Sequence, residues 1–346
     1  MSVLKTGKPV PAHLVGQNAP SVRPGDDPAI FGSAVLEGPD PVEVRTFQTF
    51  RIVYTVGRLG LDDNGSIRVA LRFITDAGVP QTANPAAPNY TTARSNGGGH
   101  LEVLIAPVGP RPWMQTVTVR QKAGYLNPGE QIVVTFGDTS KGSPGMLMQT
   151  FVEDGYEFKV MADVQATQNF QPLGQQMAVA VIPGPGTLWR AVLPSLRRPG
   201  ETFRLGLKVE DKWGNPSDMA KGRVRFETSL PVEGLPDAVD YVPADRSMII
   251  DSLSVSQQGT LRIKVLVDGV LTAEAGPLVI RDGAGASYWG DLHGQTGETI
   301  GTNSIESYFD FARNKAFLDV TAHQANDFQI NTAFWAKINE LSEALN

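Results

Sequence analysis

The spacing of apolar residues changes once along this chain, and the change limits the folds open to it. Up to about residue 282, apolar and polar residues alternate in short runs, a period of two that is typical of half-buried strands. Beyond that point apolar residues recur every three or four positions, as in amphipathic helices. The sequence therefore predicts a long β region followed by a short segment that contains helices.

Two runs show the alternation most clearly. In residues 50–56 the apolar side chains point to one face, and in residues 66–73 the apolar set, ending at Phe73, points away from Arg68 and Arg72. The intervening Asp62-Asp63-Asn64-Gly65 is a turn sequence, so we expect the two runs to form a hairpin. The 36 Gly and 25 Pro residues are spread through the chain, as is typical of turns between many short strands.

The strand pattern divides into two β units. Residues 1–28 lack periodicity and are expected to form an N-terminal arm. Further strands are predicted at 101–106, 116–121, 131–136 and 156–161, so we expect a β-sandwich over 29–172. A second sandwich is predicted over 173–282, starting with a strand at 179–182. Its turn at 211–216, Asp-Lys-Trp-Gly-Asn-Pro, resembles a turn of bacterial immunoglobulin-like modules.

Residues 283–346 are predicted to be the only helical part. Asn303 is a candidate N-cap with Glu306 three residues on, and an apolar stripe follows. A short apolar run comes next, and then a second amphipathic helix that contains Phe334 and Ile338. The order strand, helix, strand, helix is typical of parallel βα units, in which chemistry collects at the carboxyl ends of the strands.

Composition excludes several classes of function. The net charge of −6 and the lack of basic clusters argue against nucleic acid as a partner. No segment has the apolar length of a signal peptide or a membrane span, so we expect no membrane partner and a cytoplasmic protein. Because the chain has no cysteine, thiolate ligands and a cysteine nucleophile are excluded. A small-molecule substrate of unknown identity remains.

Two of the four histidines lie at the predicted strand ends. Asp291 and His293 are two residues apart, so an extended strand would place them on one face, and His323 follows the next strand. Imidazole and carboxylate suit zinc, manganese or iron, and a bound divalent ion would lower the pKa of its water. The alternative is that Asp291 and His293 form an ordinary hydrogen-bonded turn.

The residues around these histidines resemble a known family. Residues 288–299, Tyr-Trp-Gly-Asp-Leu-His-Gly-Gln-Thr-Gly-Glu-Thr, and residues 321–327, Thr-Ala-His-Gln-Ala-Asn-Asp, resemble the bacterial family called domain of unknown function 3604. That family is similar to the polymerase and histidinol phosphatase (PHP) superfamily of metal-dependent hydrolases. The β region resembles it too, for example at Gly137-Asp138, so the resemblance extends over most of the chain.

The resemblance implies a (β/α)7 barrel that binds divalent ions through His and acidic ligands. It also implies metal ligation by Asp291, His293 and His323. Gln295 stands where the superfamily has a second histidine, and Ala322 stands where it has an aspartate. The implied ligand set therefore also draws on Gln295, Glu298 and Asp327. Glu298 could instead be a solvated loop acid, and Asp327 could cap the last helix.

The fold class expected from these observations is mainly β, with two immunoglobulin-like β-sandwiches followed by the first two βα units of a PHP-like barrel. Two such units cannot close a barrel. We therefore expect the N-terminal part of a metal-dependent hydrolase, inactive or severely impaired as this chain, with its last sixty residues open to self-association. The alternatives are a non-catalytic β-sandwich protein that binds carbohydrate or protein, and a family member that has lost its metal. The sequence does not identify catalytic residues.

Overall fold

The computed structural model describes residues 28–109, 112–242, 246–283, 285–324 and 329–345. The protein is mainly β and contains several sheets, as the sequence predicted. Two compact units are present, and each is described by itself. The first comprises the described residues of Met1–Ile182 with Gly297–Asn303 and Asn326–Asn331; the second comprises those of Pro183–Thr296, Ser304–Ala325 and Thr332–Asn346. The predicted arm lies outside the described residues except for Pro28.

The first unit begins with a single helical turn and continues almost entirely as strands. These are α1 (Pro28–Phe31), β1 (Ser33–Glu37), β2 (Val42–Glu43), β3 (Phe47–Gln48), β4 (Phe50–Thr55), β5 (Ser66–Arg72), β6 (Thr91–Ser95), β7 (His100–Ala106), β8 (Trp113–Ala123), β9 (Gln131–Phe136), a 3-10 turn (Thr139–Lys141), β10 (Met146–Leu147), β11 (Glu153–Asp163), β12 (Gln171–Pro172) and β13 (Ala178–Ile182).

Two sheets of this unit pack face to face. The order is β1-β4-β9-β6 in one and β2-β13-β11-β5-β8-β7 in the other, with β12 beside β11 and a separate pair β3-β10. Phe158 of β11 lies against Phe50 and Phe136 of the opposite sheet, with ring centroids 5.2 and 5.3 Å apart. These tilted contacts are a favourable aromatic geometry, and all three rings are fully buried.

The predicted hairpin between β4 and β5 is wrong. β4 pairs with β1 and β9, whereas β5 pairs with β8 and β11 in the other sheet. The turn itself forms, since the Gly65 amide donates to the Asp62 carbonyl at 2.8 Å and Asn64 has φ 63°. The chain here crosses between the sheets, because both strands present an apolar face to the same core. Phe73 is exposed, because β5 ends at Arg72 and its alternation ends with it.

The second unit contains strands and then the helical segment. Its elements are β14 (Leu188–Val192), β15 (Leu196–Arg197), β16 (Phe203–Glu210), β17 (Gly222–Thr228), β18 (Ala238–Tyr241), β19 (Met248–Leu253), β20 (Gly259–Val267), β21 (Val270–Ile280), β22 (Gly290–Gly294), α2 (Ile305–Asp310), a π-helical turn (Phe311–Lys315), β23 (Val320–His323) and α3 (Thr332–Leu345).

The strands of this unit form sheets β14-β16-β19 and β15-β21-β20-β17-β18, and a parallel pair β22-β23. The strand predicted at 179–182 is not among them. As β13 it pairs with β11 and, in parallel, with β2, so it belongs to the first unit. Alternation identifies a strand but not its partner, which explains the misplacement. None of the described helices has the length and apolar content to cross a membrane.

The predicted turn at 211–216 is held by one buried carboxylate. Asp211 accepts hydrogen bonds from the backbone amides of Gly184, Trp213 and Asn215 and from the Asn215 side chain, at 2.8 to 3.0 Å. Gly214 has φ 92°, which favours glycine. The turn is therefore fixed by charge-assisted bonds as well as by glycine.

Phe158→Ala should destabilise the first unit by about 3 to 5 kcal/mol, because it removes the ring that joins the two sheets and leaves a cavity. Urea unfolding followed by circular dichroism measures this change. The control Val35→Ala, at an exposed position of β1, should alter the free energy of unfolding by less than about 1 kcal/mol. Equal losses in the two variants would contradict the central role of Phe158.

Candidate functional site

The strands that carry the predicted donors are adjacent and parallel. In β22 and β23, Gly290 pairs with Val320, Asp291 with Thr321 and Gly294 with His323. The connection between them contains α2 and the π-helical turn. The predicted parallel pairing is thus confirmed, and the carboxyl ends of both strands lie at one edge. α2 is capped by Ser304, which accepts a hydrogen bond from the Ser307 amide, and not by the predicted Asn303.

The side chain of Asp291 makes a hydrogen bond within its own strand. Its Oδ1 accepts a hydrogen bond from the His293 amide at 2.9 Å, which is a turn within the strand. The register of the pair shifts between Asp291 and Gly294, next to this bond. Because the strand is irregular here, spacing by two residues does not by itself place both side chains on one face.

His293 is exposed, and its ring is oriented by one partner. Its Nδ1 lies 2.6 Å from Oε1 of Gln324, which follows β23. Because an amide oxygen only accepts, this contact favours the tautomer with the proton on Nδ1, in which Nε2 carries the lone pair. A hydrogen bond from the second ring nitrogen is the arrangement that orients metal-ligating histidines. Gln324 was not among the residues predicted from the sequence, because its position directly after His323 is its only signal.

His323 lies in a more enclosed environment. Its Nε2 is 3.0 Å from Oγ1 of the buried Thr296. Its ring is edge-on to Phe334 of α3, with centroids 5.4 Å apart, and to Tyr308 of α2 at 6.2 Å. The two helices therefore pack against the ring and fix its place at the end of β23.

The remaining predicted donors are distributed differently. Gln295 is half-buried and directly precedes Thr296. Glu298 is half-buried and belongs to the first unit with the loop Gly297–Asn303. Asp327 lies outside the described residues. Ala322, in β23, has no donor atom in its side chain.

The donor types suit a divalent ion, but their number does not. Within the described ranges, no group of three or more His, Asp or Glu side chains is placed to hold a metal ion. Those residues do not by themselves fit a metal, so we assign no catalytic step to one.

The first unit holds a buried charged group that was not predicted from the sequence. We call it the Arg72 cluster: Arg72, Trp113, Glu153, Glu157 and Lys159, all less than 8% exposed. Trp113 Nε1 donates to Glu157 at 3.1 Å, and Lys159 Nζ lies 3.9 Å from Glu157. Alternation placed Arg72 on the outer face of β5 correctly but could not show that this face is covered.

Burial shifts the titration of this cluster. Desolvation raises the pKa of Glu153 to about 7, opposed by the hydrogen bond from Gln149 and by the charge of Arg72. Desolvation also raises the pKa of Glu157, against the charges of Lys159 and Arg72. Burial lowers the pKa of Arg72, and Glu157, Glu153 and Glu298 oppose that lowering. The cluster combines cations and carboxylates, as buried charges require.

The free energy of unfolding should fall as pH rises from about 4.5 to about 7, because Glu153 holds its proton more tightly in the folded state than in the unfolded chain. A shift of this size corresponds to about 3 kcal/mol. Glu153→Gln should remove this part of the decrease, whereas Glu37→Gln at an exposed position of β1 should not. Urea unfolding across this pH range measures it, and parallel pH profiles for wild type and Glu153→Gln would contradict the assignment.

No family model matches the sequence, and no curated protein matches it. Among solved structures, the chain is similar to the adhesin InvE of Yersinia pseudotuberculosis at 13% identity, over 72% of this chain and 58% of that one, with a TM-score of 0.21. It is also similar to a DUF4466 family protein from Parabacteroides merdae at 8% identity, over 69% of this chain and 91% of that one, with a TM-score of 0.23. At such TM-scores neither similarity carries an argument.

Proposed function

We propose that this chain contributes the first strands and the first donor residues of a metal-dependent hydrolase site, of the kind that its resemblance to domain of unknown function 3604 implies. The observation that carries the proposal is the parallel pair β22-β23. It has His293 near the end of one strand and His323 at the end of the other. Phosphoesters or related bonds are the proposed substrate class.

The orientation of His293 supports this assignment. Its Nδ1 proton is directed at Gln324, which leaves Nε2 as the nitrogen able to ligate a cation. The ring is also exposed, so a cation could reach it without rearrangement of the core. An oriented ring and an exposed nitrogen both suit metal ligation. A histidine that only packs against its neighbours would need neither property.

Exposed apolar residues surround the pair β22-β23, and we propose that further metal donors lie in the chain that covers them. Parallel sheets are normally covered on both faces. Leu292 and Val320, one on each strand, are exposed at 61% and 50%, and Trp289, which precedes β22, is also exposed. Exposed apolar residues of this kind are typical of a surface that another segment or a partner covers. Further His or Asp donors would come from that chain, and Asp327 remains a predicted one.

The test is titration calorimetry of the chain with Mn²⁺ and with Zn²⁺. Wild type should bind one of them weakly, with a Kd on the order of micromolar to millimolar, because few donors are present. His293→Ala should weaken binding by about tenfold or more, and Gln324→Ala by a similar factor, since second-sphere partners of metal-bound histidines contribute 10- to 100-fold. His100→Ala, in β7, is the matched control and should change nothing.

Two outcomes would contradict the proposal. Equal metal affinity in wild type, His293→Ala and His100→Ala would assign the binding to another place on the protein. No binding of either cation by wild type would instead favour a family member that has lost its metal, consistent with Gln295 and Ala322 at the two substituted positions.

A further inference from the structure

The second unit contains a cavity that the proposed metal site does not use. Its volume is about 460 Å³, which is within the range of small-molecule sites, and all of its lining residues belong to this unit. Trp289 and Asp319 are among them, and they directly precede β22 and β23. Because these strands are parallel, the cavity lies at the ends opposite to those that carry His293 and His323.

Two arginines line this cavity, and the described residues give neither of them an acidic partner. Arg197 of β15 is 6% exposed, and its Nη1 donates to the carbonyls of Leu196 and Ser287, at 2.9 Å each. Arg204 of β16 is half-buried, and its Nη2 donates to the Leu318 carbonyl at 2.6 Å. Among the described residues these are the only hydrogen bonds of the two side chains. Nε and one terminal nitrogen of each guanidinium therefore remain available to an acceptor.

The charge of Arg197 is compensated only in part. Transfer of a charge out of water is unfavourable unless opposite charge or hydrogen bonds compensate for it. Arg197 has its two carbonyls and the Tyr288 ring, whose centre is 5.1 Å from the guanidinium carbon. These groups orient the guanidinium but carry no negative charge. A buried arginine in this state suits an anionic ligand.

The other charged groups of the cavity favour the same sign of ligand. Arg204 adds a second positive charge, and Asp319 is the one acidic side chain among the described lining residues. Its Oδ2 accepts a hydrogen bond from the Trp289 amide at 2.9 Å. Two guanidiniums against one carboxylate leave the lining positive. Because the donors of a guanidinium form a planar fork, carboxylate and phosphate groups match it best.

The rest of the lining is mostly apolar and contains two oriented aromatic rings. Trp289 Nε1 donates to Oγ of Ser195 at 2.6 Å, which fixes the indole, and the residue is exposed enough for a ligand to reach it. The Phe317 ring lies against β16 at Gly206, where a Cβ would be 2.5 Å from the ring. Glycine is therefore required for this contact. Aromatic faces of this kind favour a flat apolar group.

We propose that this cavity binds a small organic anion, in which a carboxylate or phosphate group is attached to a flat apolar ring. Arg197 and Arg204 bind the charged group, and Trp289 contacts the ring. The proposal goes beyond the hydrolase function and does not depend on it, because none of the predicted metal donors lines the cavity.

Titration calorimetry of the intact chain in EDTA tests the proposal, with benzoate and phenyl phosphate as probes. Both should bind with a Kd on the order of 0.1 to 1 mM, as expected for ligands of this size. Benzyl alcohol has a ring without the charge, and inorganic phosphate has the charge without a ring. Each should bind about tenfold more weakly, because each lacks one of the two contacts.

Variants of the lining separate the two contacts. Arg204→Gln should weaken the binding of both probes by about tenfold, since it removes charge-assisted hydrogen bonds. The matched control is Arg223→Gln in β17, whose guanidinium pairs with Asp240 at 2.9 Å, and it should change nothing. Trp289→Ala should weaken phenyl phosphate severalfold and leave inorganic phosphate unchanged. Arg197→Gln should act like Arg204→Gln, which suffices alone if the buried variant does not fold.

Several results would overturn the proposal. Equal affinities in wild type, Arg204→Gln and Arg223→Gln would place the probes elsewhere, and no binding of either probe would leave the cavity without this ligand class. Benzyl alcohol binding as tightly as benzoate would show that the arginines contribute nothing. His293→Ala should bind the probes as wild type does, and a loss in that variant would also count against the cavity. Probe binding without any binding of Mn²⁺ or Zn²⁺ would support the proposal and refute only the hydrolase function.

Discussion

Strand β11 is buried on both faces, and this double burial organises the first unit. One face carries Phe158, whose ring joins the two sheets. The other carries Glu157 and Lys159, which are also buried. An apolar face is stabilised by contact alone, whereas a charged face needs partners of opposite sign and hydrogen bonds. The same backbone therefore requires a hydrophobic core on one side and a matched set of ions on the other.

The ionic side contacts the loop Gly297–Asn303 of the same unit. The charge of Arg72 opposes the charges of Glu153 and Glu157 of β11, and its Nη2 donates to backbone carbonyls of the loop Gly297–Asn303. One residue thus serves two purposes that sequence patterns treat separately, charge compensation and loop anchoring. In the second unit, the parallel pair β22-β23 depends on a different set of contacts, in which α2 and α3 pack against the His323 ring.

The sequence predicted what depends on local pattern. The alternation in β4 and the helical period of α3 are present as expected, and β22 and β23 are parallel. The prediction was wrong where a strand pairs with strands that are distant in sequence, as for β13. For the site, the two histidines at the strand ends were predictable. The bond from His293 to Gln324 was not, because residue spacing does not show which side chain beyond the neighbouring strand a ring will meet.

The long separation in sequence between Arg72 and Gly297 also affects the order of folding events during synthesis. The two residues are 225 positions apart, which at ordinary rates of synthesis is roughly 11 to 45 s. During that time the strands of the first sandwich can already pair while their charged face has no loop over it. Water can hydrate the Arg72 guanidinium until the loop carbonyls replace it, so this part of the desolvation comes last, when the neighbouring strands are already in place.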